Sequence, residues 1–274
     1  MKRKIRLVVA DIDGTLETLH QPLPEINREA MEALHREGIL YGLASGRSVR
    51  QLEDKVREWG LSFDPELLIG VNGQSIYDGI LGKKEDLLLF RKEWVEEIID
   101  FLDACDYDYH VYIDSYTLFK KKSDHFYKLF SQVDRDVRLA SCREDFLQGD
   151  FFKFLLIQDR QEKVDELLEK IQPLMERHRD HFKILRTTPV SYEIVHADAS
   201  KGYALKMFCQ RHGIALEDVA AFGDADNDND MIEISGMGVC LRDGVEVTRK
   251  VAAYLTDKDC SEGGFGDFVF RKIL

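Results

Sequence analysis

The sequence predicts an α/β fold with a parallel sheet at its centre, and three observations lead there. Short apolar runs rich in valine, leucine and isoleucine recur without polar alternation, the pattern of strands buried on both faces. Helix-patterned segments follow several of them, opened by proline or serine and closed by glycine. Aspartates and hydroxyls gather just past the apolar runs, at the carboxyl ends where open α/β sheets bind their ligands. With 274 residues, 44% of them hydrophobic, the chain can bury a sizeable core in one or two domains.

The first run, Leu7-Val8-Val9-Ala10, leads into Asp11-Ile12-Asp13-Gly14-Thr15-Leu16. Alternation along an extended chain predicts that Asp11 and Asp13 point the same way, with Ile12 turned into the core. Gly14 lets the chain turn sharply. Two carboxylates this close repel each other unless a cation joins them. A hard divalent ion, magnesium above all, takes a few carboxylates plus water and phosphate oxygens. One carboxylate can then serve as a nucleophile and the other as a general acid and base. The competing reading is an Asx-type turn at a strand end. An EF-hand loop is excluded, because Pro22 stands at the twelfth loop position, where a bidentate glutamate is due.

Residues 24–37 read as a helix, with Ile26, Ala30 and Leu34 on one face and Gly38 as its stop. Residues 39–44 are a second buried strand, ending in Ser45-Gly46-Arg47. A helix follows to about Trp59 and is closed by Gly60. Its free N–H groups favour an anion at that spot. Arg47 suits either a structural pairing with a carboxylate or a contact with substrate. A third run over residues 67–71 ends in Asn72-Gly73, first of all a turn signal, before a return strand over 74–79.

From Gly82 to Pro189 the texture changes. Helices are expected over 94–103 and 125–130, strands over 109–114, 116–119, 152–158 and 182–187. A helix over 161–177 should be bent or split by Pro173. No acids cluster at strand ends here. The stretch 82–189 therefore reads as an α+β unit inserted into a domain made of residues 1–81 and 190–274. The run Lys120-Lys121-Lys122 reads as a solvated face.

Beyond it, Tyr192-Glu193-Ile194-Val195 resumes apolar alternation. Ser200-Lys201-Gly202 opens a helix to about His212, with Gly213 as its cap. The buried strand Val219-Ala220-Ala221-Phe222 ends in Gly223-Asp224-Ala225-Asp226-Asn227-Asp228-Asn229-Asp230. The dipole of the following helix accounts for one or two acids in its first turn; the density here points to a metal. A strand over 237–240 and a helix over 245–252 follow, and residues 263–274 carry no readable pattern.

The formal net charge of -13 argues against non-specific nucleic-acid binding and against anionic membrane surfaces. An anionic substrate stays compatible with it, since a metal and a few local cations can dominate a pocket. Five cysteines, with no Cys-x-x-Cys pair, argue against a disulfide framework or a zinc site and fit a reducing cytoplasm. The basic start leads into an apolar run only a strand long, which is not a signal peptide, and no apolar stretch reaches transmembrane length.

Each of these features is ambiguous alone, but their order and spacing resemble the haloacid dehalogenase superfamily of phosphotransferases and, within it, the Cof-like hydrolases. The matching stretches are Asp11-Ile12-Asp13-Gly14-Thr15, Ala44-Ser45-Gly46-Arg47, Ser200-Lys201-Gly202, and Gly223-Asp224 with Asn227-Asp228 and Met231. Asn72-Gly73 also matches. Ser45 stands for the commoner threonine and Gln74 for a frequent alanine, and neither change removes a catalytic group.

The resemblance implies a Rossmann-like core with an inserted α/β cap, and a magnesium-dependent phosphatase of small phosphorylated metabolites. It implies Asp11 as nucleophile and Asp13 as general acid and base. Magnesium would be held by Asp11, the Asp13 backbone carbonyl, Asp224 and Asp228. Ser45, Gly46, Lys201 and Asn227 would bind phosphate, with Thr15 and Asn227 orienting their neighbours. Tyr112, Asp114, Tyr116 and Lys120 are the candidates for substrate selection. A sugar phosphomutase similar to phosphomannomutase, and a metal- and phosphate-binding regulator without turnover, are the alternative readings.

Overall fold

The computed structural model describes residues 4–18, 21–113, 116–120, 127, 136–147, 151–158, 160–188 and 190–274. The chain forms two compact units, Met1–Leu87 with Ser200–Leu274, and Leu88–Ala199. The first unit opens with β1 (Leu7–Ala10), α1 (Glu25–Arg36), β2 (Leu40–Ala44), α2 (Val49–Trp59), β3 (Leu67–Gly70), β4 (Ser75–Asp78) and β5 (Lys83–Asp86). The second unit holds α3 (Lys92–Ala104), β6 (His110–Ile113), β7 (Tyr116–Phe119), β8 (Asp136–Leu139), β9 (Lys153–Ile157), α4 (Gln161–Arg177), β10 (Phe182–Thr188) and β11 (Ser191–His196). The chain then completes the first unit with α5 (Lys201–Arg211), β12 (Val219–Gly223), α6 (Asn229–Ile234), β13 (Met237–Cys240), α7 (Glu246–Val251), β14 (Tyr254–Leu255) and α8 (Gly264–Phe268).

The sheet of the first unit runs β14-β13-β12-β1-β2-β3-β4-β5. Its strands are parallel from β14 through β3, and β4 and β5 are added antiparallel. The parallel strands are near-continuously apolar because both faces are covered. On one face Val8, Ala10, Ala220 and Phe222 pack with residues of α1, α2 and α8. On the other, Leu7, Val9, Val219 and Ala221 pack with Ala204, Leu205 and Phe208 of α5. From β1 the chain moves outward through β2 and β3, then re-enters on the other side at β12. The β1/β12 junction is thus the point where strand order reverses, and a crevice opens beyond the carboxyl ends of such strands.

Local chemistry sets the helix limits near this junction. Ser48 caps α2, accepting from the Gln51 N–H while the Gln51 side chain accepts from the Ser48 N–H, and Gly60 ends the helix at φ +63°. Ser200 caps α5 by accepting from the Tyr203 N–H at 3.1 Å.

The second unit has a sheet in the order β10-β11-β9-β6-β7-β8. Val111, Leu118, Phe154 and Ile194 bury one face of it with residues of α3 and α4. Of the bend or split expected at Pro173, the split does not occur: α4 is one helix running through Pro173. Pro173 is exposed, and Val164, Leu167, Ile171 and Leu174 on the other side hold the helix to the sheet. The opposite face of the sheet carries Tyr112, Thr117, Lys153 and Glu193, by strand alternation and register. Lys153 Nζ lies 2.8 Å from Glu193 Oε1 in a buried ion pair, 5.3 Å from the centre of the Tyr112 ring. Removing one partner leaves the other charge buried, so Glu193→Ala should cost about 3–5 kcal/mol of stability. Lys153→Met with Glu193→Leu should recover most of it, as thermal melts of the three proteins will show.

Residues 82–87 go with the first unit and residues 190–199 with the second, whereas the change of texture in the sequence puts the inserted unit at 82–189. β5 is charged throughout and carries no apolar strand pattern. The alternation of β11 reads as the first unit resuming. Apart from Tyr127, the helix expected over 125–130 lies outside the described residues, as do Asp114, Lys121 and Lys122. The five cysteines are free thiols. Among the described residues no helix is long and apolar enough to cross a membrane.

Candidate active site

Three neighbouring strands deliver the polar groups. Asp11 follows β1, Ser45 follows β2 and Asp224 follows β12. Between them the start of α5 brings in Lys201, which is fully buried. Lys201 Nζ donates to Asp11 Oδ1 and to Asp228 Oδ1, each at 2.6 Å. Asp228 is also fully buried, and its Oδ2 accepts from the Asp224 and Ala225 N–H groups at 3.0 Å each. Both of its oxygens are therefore in use, one on the lysine and one on the turn after β12. Thr15 Oγ donates to Asp224 Oδ1 at 2.8 Å. Gly14, at φ +91°, sits under Asp224: a Cβ there would lie 2.4 Å from Asp224 Oδ2.

Asp11 and Asp13 part company. β1 ends at Ala10, so strict alternation does not reach them. Asp11 is buried against Lys201, while Ile12 goes into the core as expected. Asp13 is exposed and grips Arg47, whose Nε and Nη2 donate to its two oxygens at 3.0 and 2.6 Å. The carboxylate group gathered in the crevice is Asp11, Asp224 and Asp228, without the Asp13 side chain.

One lysine faces three carboxylates. Burial pushes the Asp11 carboxyl above its ordinary range; Lys201 pulls against it, and Asp228 and Asp224 add to the rise. Burial, with help from Asp228, raises Asp224 to about 6 against the Thr15 hydrogen bond and Lys201. For Lys201, burial works against the ammonium, but Asp11 and Asp228 outweigh it and keep it charged. A further cation would relieve this excess of negative charge. One oxygen from each of Asp11, Asp224 and Asp228 lies within 4.8 Å of the others. Among the described residues no hydrogen bond reaches Asp11 Oδ2 or Asp224 Oδ2. An all-oxygen set with two free carboxylate oxygens fits a hard divalent ion such as magnesium.

Ser45 is buried, and its Oγ accepts from the Arg47 N–H at 3.3 Å, which leaves the hydroxyl proton available. Gly46 adjoins Asn72, and Asn227 Nδ2 donates to Asn72 Oδ1 at 3.2 Å. The acid-rich stretch after β12 divides its labour. Asp230 Oδ2 accepts from the Gly202 N–H at 2.9 Å, securing the start of α5, and Asp226 is exposed.

The residues expected to select substrate also divide. Tyr112 lies on the polar face of the second sheet, while Tyr116 packs into the helix-covered side. Lys120 pairs with Asp103 and stands over the Tyr109 ring. The polar-face pair Lys153–Glu193 escapes sequence reading, because single charges in a strand look like ordinary alternation.

Residues 8–269 match the haloacid dehalogenase-like hydrolase family. The chain is 26% identical over 275 residues to phosphatase YwpJ of Bacillus subtilis, covering 92% of this chain and 94% of that protein. It is 23% identical over 259 residues to the 5-amino-6-(5-phospho-D-ribitylamino)uracil phosphatase YcsE of the same organism, covering 94% and 92%. The crystal structure of TM0651 from Thermotoga maritima superposes with a TM-score of 0.86 at 26% identity, over 97% of each chain. A match of this extent, on a sheet whose strand ends gather Asp11, Ser45, Lys201 and Asp224, means that the chain belongs to the haloacid dehalogenase-like hydrolase family and is a phosphatase.

Proposed function

We propose that the protein is a magnesium-dependent phosphatase of small phosphorylated metabolites, sugar phosphates or compounds of similar size, working through an aspartyl-phosphate. The observation that carries this reading is the buried Lys201 clamped between Asp11 and Asp228, with Asp11 Oδ2 and Asp224 Oδ2 free of protein donors. Phosphoryl transfer depends on positioning and charge neutralisation. An anionic nucleophile can meet an anionic phosphate only where cations offset the repulsion.

In this reading a free oxygen of Asp11 attacks phosphorus, forming the acyl-phosphate bond as the bond to the leaving oxygen breaks. Asp13 gives its proton to that oxygen. It then takes a proton from the water that attacks phosphorus, which releases phosphate and restores Asp11. Asp13 is held by Arg47 and is exposed enough to meet a substrate oxygen when Arg47 lets go. Ser45 donates its hydroxyl proton to a phosphate oxygen, with Gly46 leaving room beside it. Lys201 neutralises charge shared by nucleophile and phosphate, and Asn227 steadies the loop after β12. Asp11, the Asp13 carbonyl and Asp224 would hold magnesium, with Asp228 acting mainly through Lys201. The ion, when bound, offsets the negative charge that gathers on the transferring group.

We assign the second unit the role of a cap that selects the organic part of the substrate; such a lid suits small molecules. The name of one relative, YcsE, specifies a small metabolite bearing a phosphoribityl chain, which supports this substrate class.

The test is phosphate release from a panel of phosphorylated metabolites, with magnesium and with EDTA. Release that needs magnesium and favours small substrates supports the reading. A folded protein that binds magnesium and releases no phosphate from any member refutes hydrolysis.

A further inference from the structure

The turn from β3 to β4 is built at a cost that a hairpin alone does not require. Val71, Asn72 and Gly73 follow one another at φ +50°, +51° and +92°. A β-branched residue in the left-handed region is a true outlier, and such conformations persist only where the surroundings hold them, most often at functional sites. Here the bonds run outward, to the loop after β2. The Val71 N–H donates to the Arg47 carbonyl at 2.7 Å and the Asn72 N–H to the Ser45 carbonyl at 2.9 Å. Gly73 lies against the residue before Lys201: a Cβ there would stand 1.8 Å from the Ser200 carbonyl oxygen. The turn therefore touches the Ser45 loop and the start of α5 at once.

Its side chain reaches a third element. Asn72 Oδ1 accepts from Asn227 Nδ2 at 3.2 Å, so its acceptor is taken. The amide lies beside Gly46, where a Cβ would stand 3.5 Å from Asn72 Nδ2. Among the described residues that Nδ2 has no hydrogen-bond acceptor, and Gly46 beside it follows Ser45, whose buried hydroxyl keeps its own proton free. Two donors without acceptors, on turns that meet at Gly46 and adjoin the start of the helix carrying the buried Lys201 ammonium, suit the oxygens of a tetrahedral anion.

We propose that Asn72 is a phosphate-binding residue whose Nδ2 donates to a non-bridging oxygen of the phosphoryl group beside the Ser45 hydroxyl. This assignment rests on the phosphatase reading. Asn72→Gly tests it cleanly, because glycine adopts a positive φ without strain and only the side chain is lost. Asn72→Asp keeps an acceptor for Asn227 and tolerates the same backbone, but replaces the donor with a negative charge.

The measurements are kcat/KM for the best substrate of the panel, inhibition by orthovanadate, affinity for inorganic phosphate in the presence of magnesium, and thermal midpoint. Asn72→Gly should melt close to the wild type yet lose about 10- to 100-fold in kcat/KM and in vanadate affinity, the range for a hydrogen bond to a charged group. Asn72→Asp should lose more than Asn72→Gly. Asn72→Gly within twofold of wild type overturns the proposal, as does Asn72→Asp outperforming Asn72→Gly, which would mean that the amide only braces Asn227. If the wild type binds phosphate without turnover, the phosphatase reading fails and phosphate affinity alone decides on Asn72. A wild type that neither turns over nor binds phosphate overturns both.

Discussion

Asp11→Asn should lower phosphate release by roughly 10⁵-fold, the scale of removing a covalent nucleophile, while the protein stays folded. The side chain keeps its size, and its amide oxygen can still accept from Lys201, whose other partner, Asp228, is untouched. The variant also sheds a carboxylate from a cluster that has one lysine for three acids. Its thermal midpoint in EDTA at pH 7.5 should therefore equal or exceed that of the wild type. A variant that melts early and is inactive for that reason would not bear on the nucleophile. Full folding with unchanged activity would remove Asp11 from that role.

The same excess of charge makes the metal-free protein sensitive to pH. Asp224 has a folded pKa of about 6 against an ordinary 3.8, and Asp11 is raised as well. Carboxyls that hold their protons more tightly when folded add stability that is complete below the unfolded value and lost as pH rises through the folded one. In EDTA the midpoint should fall between about pH 4 and pH 6 from Asp224, with Asp11 extending the fall upward. Magnesium competes with those protons, so its stabilising effect should grow over the same range. A metal-free melting curve that is flat across that window would contradict this electrostatic picture.

Lys201→Met carries the second large effect. It removes the cation that bridges Asp11 and Asp228, both buried, and should cost about 3–5 kcal/mol at neutral pH. Stability should return partly at low pH, where the stranded carboxylates take up protons, and partly with magnesium. Activity should fall on the order of 10³-fold even under conditions where the variant is folded, because the charge beside the nucleophile is gone. Melts at pH 5 and pH 7.5, each with and without magnesium, separate the two effects. A variant as stable as wild type at pH 7.5 in EDTA would show that the carboxylates do not depend on Lys201.

Much of this was legible in the sequence for physical reasons. Strands buried on both faces leave unbroken apolar runs, so β1, β2, β3 and β12 stood out, and their acids and hydroxyls marked the carboxyl ends. Caps and stops such as Gly60, Ser200 and Gly213 set helix limits because glycine and serine do specific things at helix ends. What stayed hidden lacks such signals. β5 and β8 are exposed, charged edge strands that bury little. The separate fates of Asp11 and Asp13 depend on where β1 stops, and those of Asp226, Asp228 and Asp230 on the tight turn after β12. The ion pair of Lys153 and Glu193 joins strands 40 positions apart, a distance no local pattern spans. The left-handed backbone at Val71 runs against that residue's own preference, and the turn is tied by tertiary bonds to Ser45 and Arg47.

The central claim is that phosphate passes through Asp11. Rapid quenching of the enzyme during turnover, followed by borohydride reduction and peptide mass analysis, tests it most directly. An aspartyl-phosphate at this position would be reduced to homoserine at residue 11, and the signal should be absent in EDTA and in Asp11→Asn. Sustained turnover with no trapped product, or with the modification on another residue, would contradict the claim.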